Sequence, residues 1–332
     1  LTAIGIIANP TASGDIRRLV AEGRVIPAGE KVNIIRRVLL GLQSLGVRRV
    51  VAMPDPAMLC FRARDDARLS LDLELLDMPV QHTADDSVRA AARMARMGVG
   101  CIVTLGGDGT NRAVAKGCGQ VPLVPISTGT NNVFPTMVEG TLAGLAAGVV
   151  AAGLVDAEAV LAASKRIEVY LDGEYRDIAL VDVAVSKERF VASRAVWEMT
   201  SLHEVFLTRA EPLSIGISAI GSRLQPVSMT DAAGLYFRIG PGGTTVLAPV
   251  APGLVSAVAI AEWRRLPLGQ RVEIRHHPCT IALDGEREFS VLPGQRVEVM
   301  LVDNGPRVVQ IEAALGEANR RGVFTRSVPY PE

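Results

Sequence analysis

The stretch CIVTLGGDGT, residues 101–110, decides the fold, because an apolar strand runs straight into Gly106, Gly107, Asp108 and Gly109. Glycines let the backbone take positive φ and come close to a ligand, and the run NRAVAKG from Asn111 reads as the start of a helix. The unpaired amides of such a helix start can hold phosphate oxygens. Asp108 is the sole carboxylate of the turn, so it is placed to bind Mg²⁺ or to draw a proton from a hydroxyl that attacks phosphorus. Any tight strand-to-helix turn would also suit these residue types, so the surroundings of the turn carry the argument.

Working outward, residues 1 to about 135 alternate IGIIANP, a helix near Glu30 to Leu45, RVVAMPD, a short helix, LELLDMP, a helix near Asp85 to Met97, the glycine turn, another helix and VPLVPIS. Strands alternating with helices predict a doubly wound parallel sheet, and open α/β sheets bind ligands at strand ends. Val32, Ile35, Val38, Leu39 and Leu42 recur at helical spacing and are expected to face that sheet. Beyond Leu161 the character changes to RIEVYLDGEYRDIALVDVAVS, FRIGPGGTTVLAPV, RVEIRHHPCTIALDGEREFSV and QRVEVMLVD. These β-rich segments, separated by Gly, Pro and Asp turns, predict a mostly antiparallel second domain. The expected division is an α/β domain over 1–140, an Ala-rich connecting helix over 141–160, a β-rich domain over 161–310 and a tail over 311–332 that packs back on the first domain. The cleft between the domains is the expected ligand site.

At 332 residues the chain can bury two cores. Lys and Arg number 35 and so do Asp and Glu, and no basic stripe is interleaved with aromatics, so nucleic acid is not the expected partner. Cys60, Cys101, Cys118 and Cys279 are scattered without a Cys-x-x-Cys pair, which argues against a zinc site or a disulfide framework and fits a reducing cytoplasm. The opening LTAIGIIANP lacks a basic flank and its apolar run is short, so it reads as a first strand and not as a signal peptide. The most apolar stretch, LAGLAAGVVAAGLV at 142–155, is shorter than the ~20 residues that span a bilayer and reads as a packed helix.

Other constellations surround the turn. ANPTASG, Ala8 to Gly14, offers Asn9, Thr11 and Ser13 after the first strand; an Asn-Pro turn and a phosphate loop explain it equally. PISTGTNNVFP places Thr128, Thr130, Asn131 and Asn132 around Gly129, uncharged donors that suit a phosphate or a ribose. SIGISAIGS, Ser214 to Ser222, sets small residues where a ligand or another backbone can approach closely. His276 and His277 are adjacent on a predicted strand and so point to opposite faces, and His82 and His203 lack partners at metal spacing; no zinc is expected. The Gly-x-Ser-x-Gly elbow, the Gly-x-Gly-x-x-Gly fingerprint after the first strand, the Walker lysine loop and the protein-kinase signatures are all missing.

With GGDGT at 106–110, ANP at 8–10, STGTNN at 127–132 and LDGE at 283–286, the chain resembles the superfamily of NAD kinases and diacylglycerol-type lipid kinases, and within it the NAD-kinase-like branch tied to acetoin catabolism. The resemblance implies a Rossmann-like domain, a β-sandwich domain, an active site between them, and Mg²⁺ with ATP or polyphosphate as donor. It assigns Asp108 as the catalytic and metal-bridging carboxylate, and Asn9, Pro10, Gly106, Gly107, Gly109, Thr110, Thr128, Gly129, Thr130, Asn131 and Asn132 to nucleotide or phosphate. In IALVDVAV, Ile178 to Val185, Val181-Asp182 stands where NAD kinases carry Asn-Glu, so Asp182 is the implied contact to an acceptor sugar; an alternative alignment uses His203-Glu204. Ser218, Gly221 and Ser222 fall in a reduced Thr-Gly-Ser loop, and Asp284, Gly285 and Glu286 lie on the β-domain side, all assigned to the acceptor.

The expected activity is therefore phosphoryl transfer from a Mg²⁺-bound nucleotide or polyphosphate to a hydroxyl of NAD or a related nucleotide-like or small polar acceptor. The altered 181–182 and 218–222 segments leave open a non-catalytic nucleotide sensor for a catabolic pathway. A lipid kinase ranks third, since no basic amphipathic element advertises membrane docking. A homodimer is implied by the superfamily alone.

Overall fold

The computed structural model describes residues 2–11, 22–23, 26–66, 68–129, 131–187 and 199–325. Its first half runs β1 (Ile4–Ala8), α1 (Ala28–Ser44), β2 (Arg49–Ala52), α2 (Leu59–Arg64), β3 (Asp72–Leu75), α3 (Ala84–Arg96), β4 (Cys101–Gly106), α4 (Asp108–Ala115), β5 (Leu123–Ser127) and α5 (Gly140–Ala151). The four-residue α6 (Ala157–Val160) and β6 (Leu161–Ala163) follow. Strands β1, β4 and β5 are buried along their whole length, as expected for parallel strands covered on both faces. One face packs α1 and α5 through Ile35, Val38, Leu39, Ala143 and Ala147 against Ile4, Ile6 and Val103. The other packs α3 through Ala90, Ala91 and Met94 against Ile7, Val51 and Ile102. Each Val, Leu, Ile or Met among these, fully withdrawn from water, contributes roughly 1.5–3 kcal/mol.

The second half forms β7 (Arg166–Leu171), β8 (Glu174–Ala179), β9 (Asp182–Ser186), β10 (Leu202–Leu207), α7 (Ile217–Leu224), β11 (Ala233–Ala251), β12 (Leu254–Pro267), β13 (Arg271–Glu273), β14 (Cys279–Leu283), β15 (Glu286–Val291) and β16 (Val297–Val302). Last come β17 (Arg307–Val309) and α8 (Ile311–Arg320). A six-stranded antiparallel sheet ordered β12-β11-β10-β9-β14-β15 faces a four-stranded one ordered β13-β16-β7-β8. Ile167, Val169, Val183, Val185, Phe206, Ile281 and Val299 fill the space between them, which is sandwich packing. Helix α7 covers the outer face of the larger sheet.

The first sheet is ordered β3-β2-β1-β4-β5-β17-β6, with β17 parallel to β5 and β6 antiparallel to β17. From β1 the chain passes outward to β2 and β3, then returns to β4 on β1's other side. The crevice at that reversal is where ligands bind in open α/β sheets. Ile4 lies opposite Cys101 and Ala8 opposite Leu105, so the loops that open at Asn9 and Gly107 leave the sheet side by side.

One sequence expectation is corrected here. His276 and His277 do not sit on a strand: Arg271–Glu273 pairs with β16 in the smaller sheet, Cys279–Leu283 pairs with β9 in the larger, and 274–278 is the passage between sheets. Pro278 has no amide to give a ladder, so one continuous strand through it was not available.

Candidate active site

Asp108 opens α4 with Gly107 as N-cap. The first intrahelical bond runs from Asn111 N to Gly107 O at 3.2 Å, so the amides of Asp108, Gly109 and Thr110 belong to the first turn, which precedes the i to i−4 ladder. Their dipoles sum to a partial positive charge at this end. The Asp108 side chain turns back instead of capping: Val133 N donates to its Oδ1 and Oδ2 at 3.1 Å each, and Phe134 N donates to Oδ1 at 2.8 Å. The glycine turn is thereby tied to the loop after β5.

The glycines are explained by what a side chain would strike. A Cβ on Gly107 would stand 2.8 Å from Asn132 Oδ1, and one on Gly106 would stand 2.5 Å from Thr110 Oγ1. A Cβ on Gly109 would lie 3.6 Å from Glu286 Oε1, so the second domain's late turn faces the first domain's glycine turn. Asn9 closes the third side: its Nδ2 donates to Thr110 Oγ1 at 2.9 Å, while its Oδ1 accepts from Thr11 N and Oγ1, both at 2.9 Å. Pro10 takes part through its carbonyl, which accepts from Lys31 Nζ at 2.8 Å. Burial lowers the pKa of Lys31, with Asp55 opposing.

In the 127–134 loop, Asn132 Nδ2 donates to Ser127 Oγ at 2.8 Å, and Ser127 Oγ donates to the Gly129 carbonyl at 2.7 Å. Thr128 is fully buried, and its Oγ1 and Asn131 Oδ1 have no hydrogen-bond partner among the described residues. Buried polar atoms are ordinarily satisfied; the Asn131 oxygen can only accept, whereas the Thr128 hydroxyl can donate or accept. Thr130 lies outside the described residues, as do Ser13 and Gly14 of the first loop.

From the second domain, Asp284 and Gly285 form the β14–β15 turn with φ of 52° and 77°, the left-handed pair that a two-residue hairpin requires. The Asp284 carboxylate accepts from Leu180 N at 3.0 Å, Val181 N at 2.7 Å and Asp182 N at 3.2 Å. Its amide donates to the Asp182 carbonyl at 2.9 Å. Asp182 is thereby locked beside Asp284, both buried. Burial pushes the Asp284 carboxyl up to about 7; Arg112 opposes this and Asp108 reinforces it. The alternative pair falls elsewhere: Glu204 accepts from the amides of Arg275 and His276 at 2.9 and 3.2 Å.

Ser218, Gly221 and Ser222 are placed by packing. They lie on α7, where Ser218 Oγ donates to the Arg209 carbonyl at 3.0 Å and Ser222 Oγ to the Ala219 carbonyl at 2.9 Å. A Cβ on Gly221 would stand 2.3 Å from Leu207 Cδ1, so close helix-to-sheet approach accounts for that glycine.

Two arginines complete the site and were missed in the sequence. Arg112, four residues after Asp108, is buried and meets Glu288 Oε1, Asp177 Oδ2 at 3.4 Å and Asp284 Oδ2 at 3.6 Å. Lys116, one turn on, reaches Asp177 Oδ1 at 2.6 Å. Breaking a buried pair of this kind typically costs about 3–5 kcal/mol. Arg209, just past β10, is buried, donates to the Val133 carbonyl and stands 5.3 Å over the Phe134 ring. The one signal for Arg112 was a cation one turn after Asp108 on the same short helix; Arg209 gave none. A hollow of about 470 Å³ lined by Val51, Glu74, Leu75, Arg93, Arg96 and Met97 lies at the β3 side; the converging functional groups, not hollow size, locate the site.

Among the described residues no cluster of three or more His, Cys, Asp or Glu is arranged to hold a metal ion. Mg²⁺ usually keeps several waters and rides on substrate phosphates with one or two carboxylates, so a lone carboxylate such as that of Asp108 is chemically suited to it without a protein cage. No helix among the described residues is long and apolar enough to cross a membrane.

Comparison with known proteins gives the family and the fold. Residues 4–154 match the ATP-NAD kinase N-terminal domain, and residues 165–304 match the acetoin catabolism protein X C-terminal domain. The chain is 40% identical over 343 aligned residues to acetoin catabolism protein X of Cupriavidus necator, covering 99% of this chain and 95% of that protein. Yeast NADH kinase, solved in complex with NADH, superposes with a TM-score of 0.53 at 15% identity, covering 100% of this chain and 90% of the other. A putative diacylglycerol kinase from Bacillus anthracis str. Sterne gives a TM-score of 0.49 at 13% identity, covering 93% and 98%.

Proposed function

The chain belongs to the acetoin catabolism protein X family, with a fold shared with NAD kinases, and on that footing we propose that it is a phosphotransferase. The donor is ATP or another polyphosphate carrying Mg²⁺, and the acceptor is a hydroxyl on NAD or a related nucleotide-like or small polar molecule. The observation that carries this is the placing of Asp108: a buried carboxylate fixed by two amides at a helix start, at the reversal point of the sheet, with Glu286 of the second domain facing the adjacent Gly109.

The donor phosphates would lie against the amides of Asp108, Gly109 and Thr110, where the helix dipole favours negative charge. Mg²⁺ would neutralise phosphate charge and be held from the protein side by Asp108. A carboxylate has about four acceptor directions, so Asp108 would accept the proton of the attacking hydroxyl while its amide donors keep it from rotating. Thr128 and Asn131 would orient donor or acceptor hydroxyls through the buried atoms noted above. Asp182, Asp284 and Glu286 would bound the acceptor from the second domain. NADH in the yeast enzyme supports a dinucleotide-type acceptor. Catalysis of this kind is mainly positioning and charge stabilisation.

A binding-only sensor is the second reading, and one observation favours it: both Asp108 oxygens already serve loop amides, a use that needs no chemistry. The experiment that decides is a thermal-shift screen of ATP, polyphosphate, NAD and NADH with Mg²⁺, then a product assay with every ligand that raises the midpoint. The expected result is product from the wild type and a loss of about 10²–10⁴-fold in Asp108→Asn, with nucleotide stabilisation kept. Stabilisation without product in every pairing establishes the sensor, and near-normal turnover in Asp108→Asn removes Asp108 from the chemistry.

A further inference from the structure

The peptide unit between Val133 and Phe134 has a partner at each end. Its carbonyl oxygen, on Val133, accepts from the Arg209 guanidinium. Its N–H, on Phe134, donates to Asp108 Oδ1 at 2.8 Å. A peptide is planar and trans, so its C=O and N–H point in opposite directions along a rigid plate; holding one end aims the other. Hydrogen bonds in series also polarise each other in a poorly hydrated interior. Arg209 is itself constrained: it is 6% exposed, its guanidinium rests over the Phe134 ring, and its Nη1 lies 3.9 Å from Glu211 Oε1. Its own carbonyl is held by Ser218 on α7 at 3.0 Å.

We infer that Arg209 is the positioning residue for Asp108, acting through the Val133–Phe134 peptide, so that the β-rich domain sets the orientation of the carboxylate carried by the α/β domain. This rests on the phosphotransferase reading for its functional consequence, but its structural half does not. The requirement is for arginine: a planar fork fixes a carbonyl direction, whereas a lysine ammonium supplies charge without that plane. It also gives α7 and its serine a purpose in the site that does not involve touching an acceptor.

The test uses the full chain as wild type, Arg209→Lys and Arg209→Met. Amide hydrogen exchange at Val133 and Phe134 is followed by NMR, with the thermal midpoint and, for any donor and acceptor pair the wild type turns over, kcat and KM. In Arg209→Met the Phe134 amide is expected to exchange at least about tenfold faster, with β1 and β4 amides unchanged. There kcat falls while the donor KM stays within about twofold, and Arg209→Lys recovers only part of kcat. Should Arg209→Met fail to fold, Arg209→Lys decides by the same readouts. Unchanged Phe134 exchange overturns the inference, and so does a lower midpoint accompanied by unchanged kcat. No turnover from the wild type with any pair sinks the phosphotransferase reading instead, and the exchange data still decide whether Arg209 aims the peptide that holds Asp108.

Discussion

Asp284 shows two demands met by one side chain. Its backbone takes φ 52° beside Gly285 at 77°, which Asp tolerates better than most residues, while its carboxylate collects the amides of residues 180–182. Burial holds its folded pKa near 7 against the opposing pull of Arg112, well above the ~3.9 of an unfolded Asp. A raised folded pKa means that the protonated form is favoured in the fold. The associated stability is full below about pH 4 and is lost as pH rises through about 7, an effect of order a few kcal/mol. The expected result is that the midpoint of the wild type, relative to Asp284→Asn, falls between pH 4 and 7 and levels off above. Parallel pH curves for the two proteins would show that Asp284 does not titrate in that window. Of this residue the sequence revealed the turn, since Asp-Gly between two alternating runs has a local cause. Its partners Leu180, Val181 and Arg112 lie far away along the chain, and nothing local announces them. Arg209 was illegible for the same reason: its meaning comes from a carbonyl 76 positions away.

Among the elements, α1 and α5 cross so closely that glycine is needed at the contact. A Cβ on Gly144 would stand 2.3 Å from the Val38 carbonyl oxygen, whereas one on Gly29 would meet nothing within 4 Å. The same substitution therefore has opposite signs at the two sites. Gly144→Ala is expected to destabilise by about 1–3 kcal/mol, because backbone must move, and Gly29→Ala to stabilise by up to ~1 kcal/mol through helix propensity and a less free unfolded chain. Urea unfolding of both variants checks this, and equal effects would mean that the crossing relaxes at little cost. Helices with a strong apolar period were readable from the sequence: 30–45 and 85–97 were expected against Ala28–Ser44 and Ala84–Arg96. SIGISAIGS left open a ligand or another backbone at close approach, the acceptor role resting on the resemblance alone; the structure forms helix α7 there (Ile217–Leu224). Gly216 at φ 87° starts it and Gly221 lets it approach β10, which are features of packing and not of periodicity.

At the scale of the molecule, the chain crosses into the β-rich domain and then returns. Strand β17 lies between β5 and β6, with Val308 opposite Leu123 and Ala162, and α8 buries Ala314 and Ala318 in the core shared with α5. The residues after the sandwich therefore belong physically to the first sheet, next to the strand that leads into the Asp108-binding loop. A chain ending at Asp303 would lose the burial of Val308 and Val309, roughly 3–6 kcal/mol for two valines, and would leave one edge of β5 unpaired. Against the 5–15 kcal/mol that stabilises a typical domain, that loss brings the α/β domain close to unfolding while the sandwich keeps both its sheets. The expected outcome is a lowered first thermal transition, fast hydrogen exchange across 123–127 and 140–151, and loss of any nucleotide stabilisation seen in the full chain. Slow exchange there at the wild-type midpoint would mean that β1 to β5 suffice alone. The contacts of Arg112 with Asp177, Asp284 and Glu288 and of Arg209 with Val133 all lie before residue 304, so in that case the shortened chain would also keep the nucleotide stabilisation of the full chain.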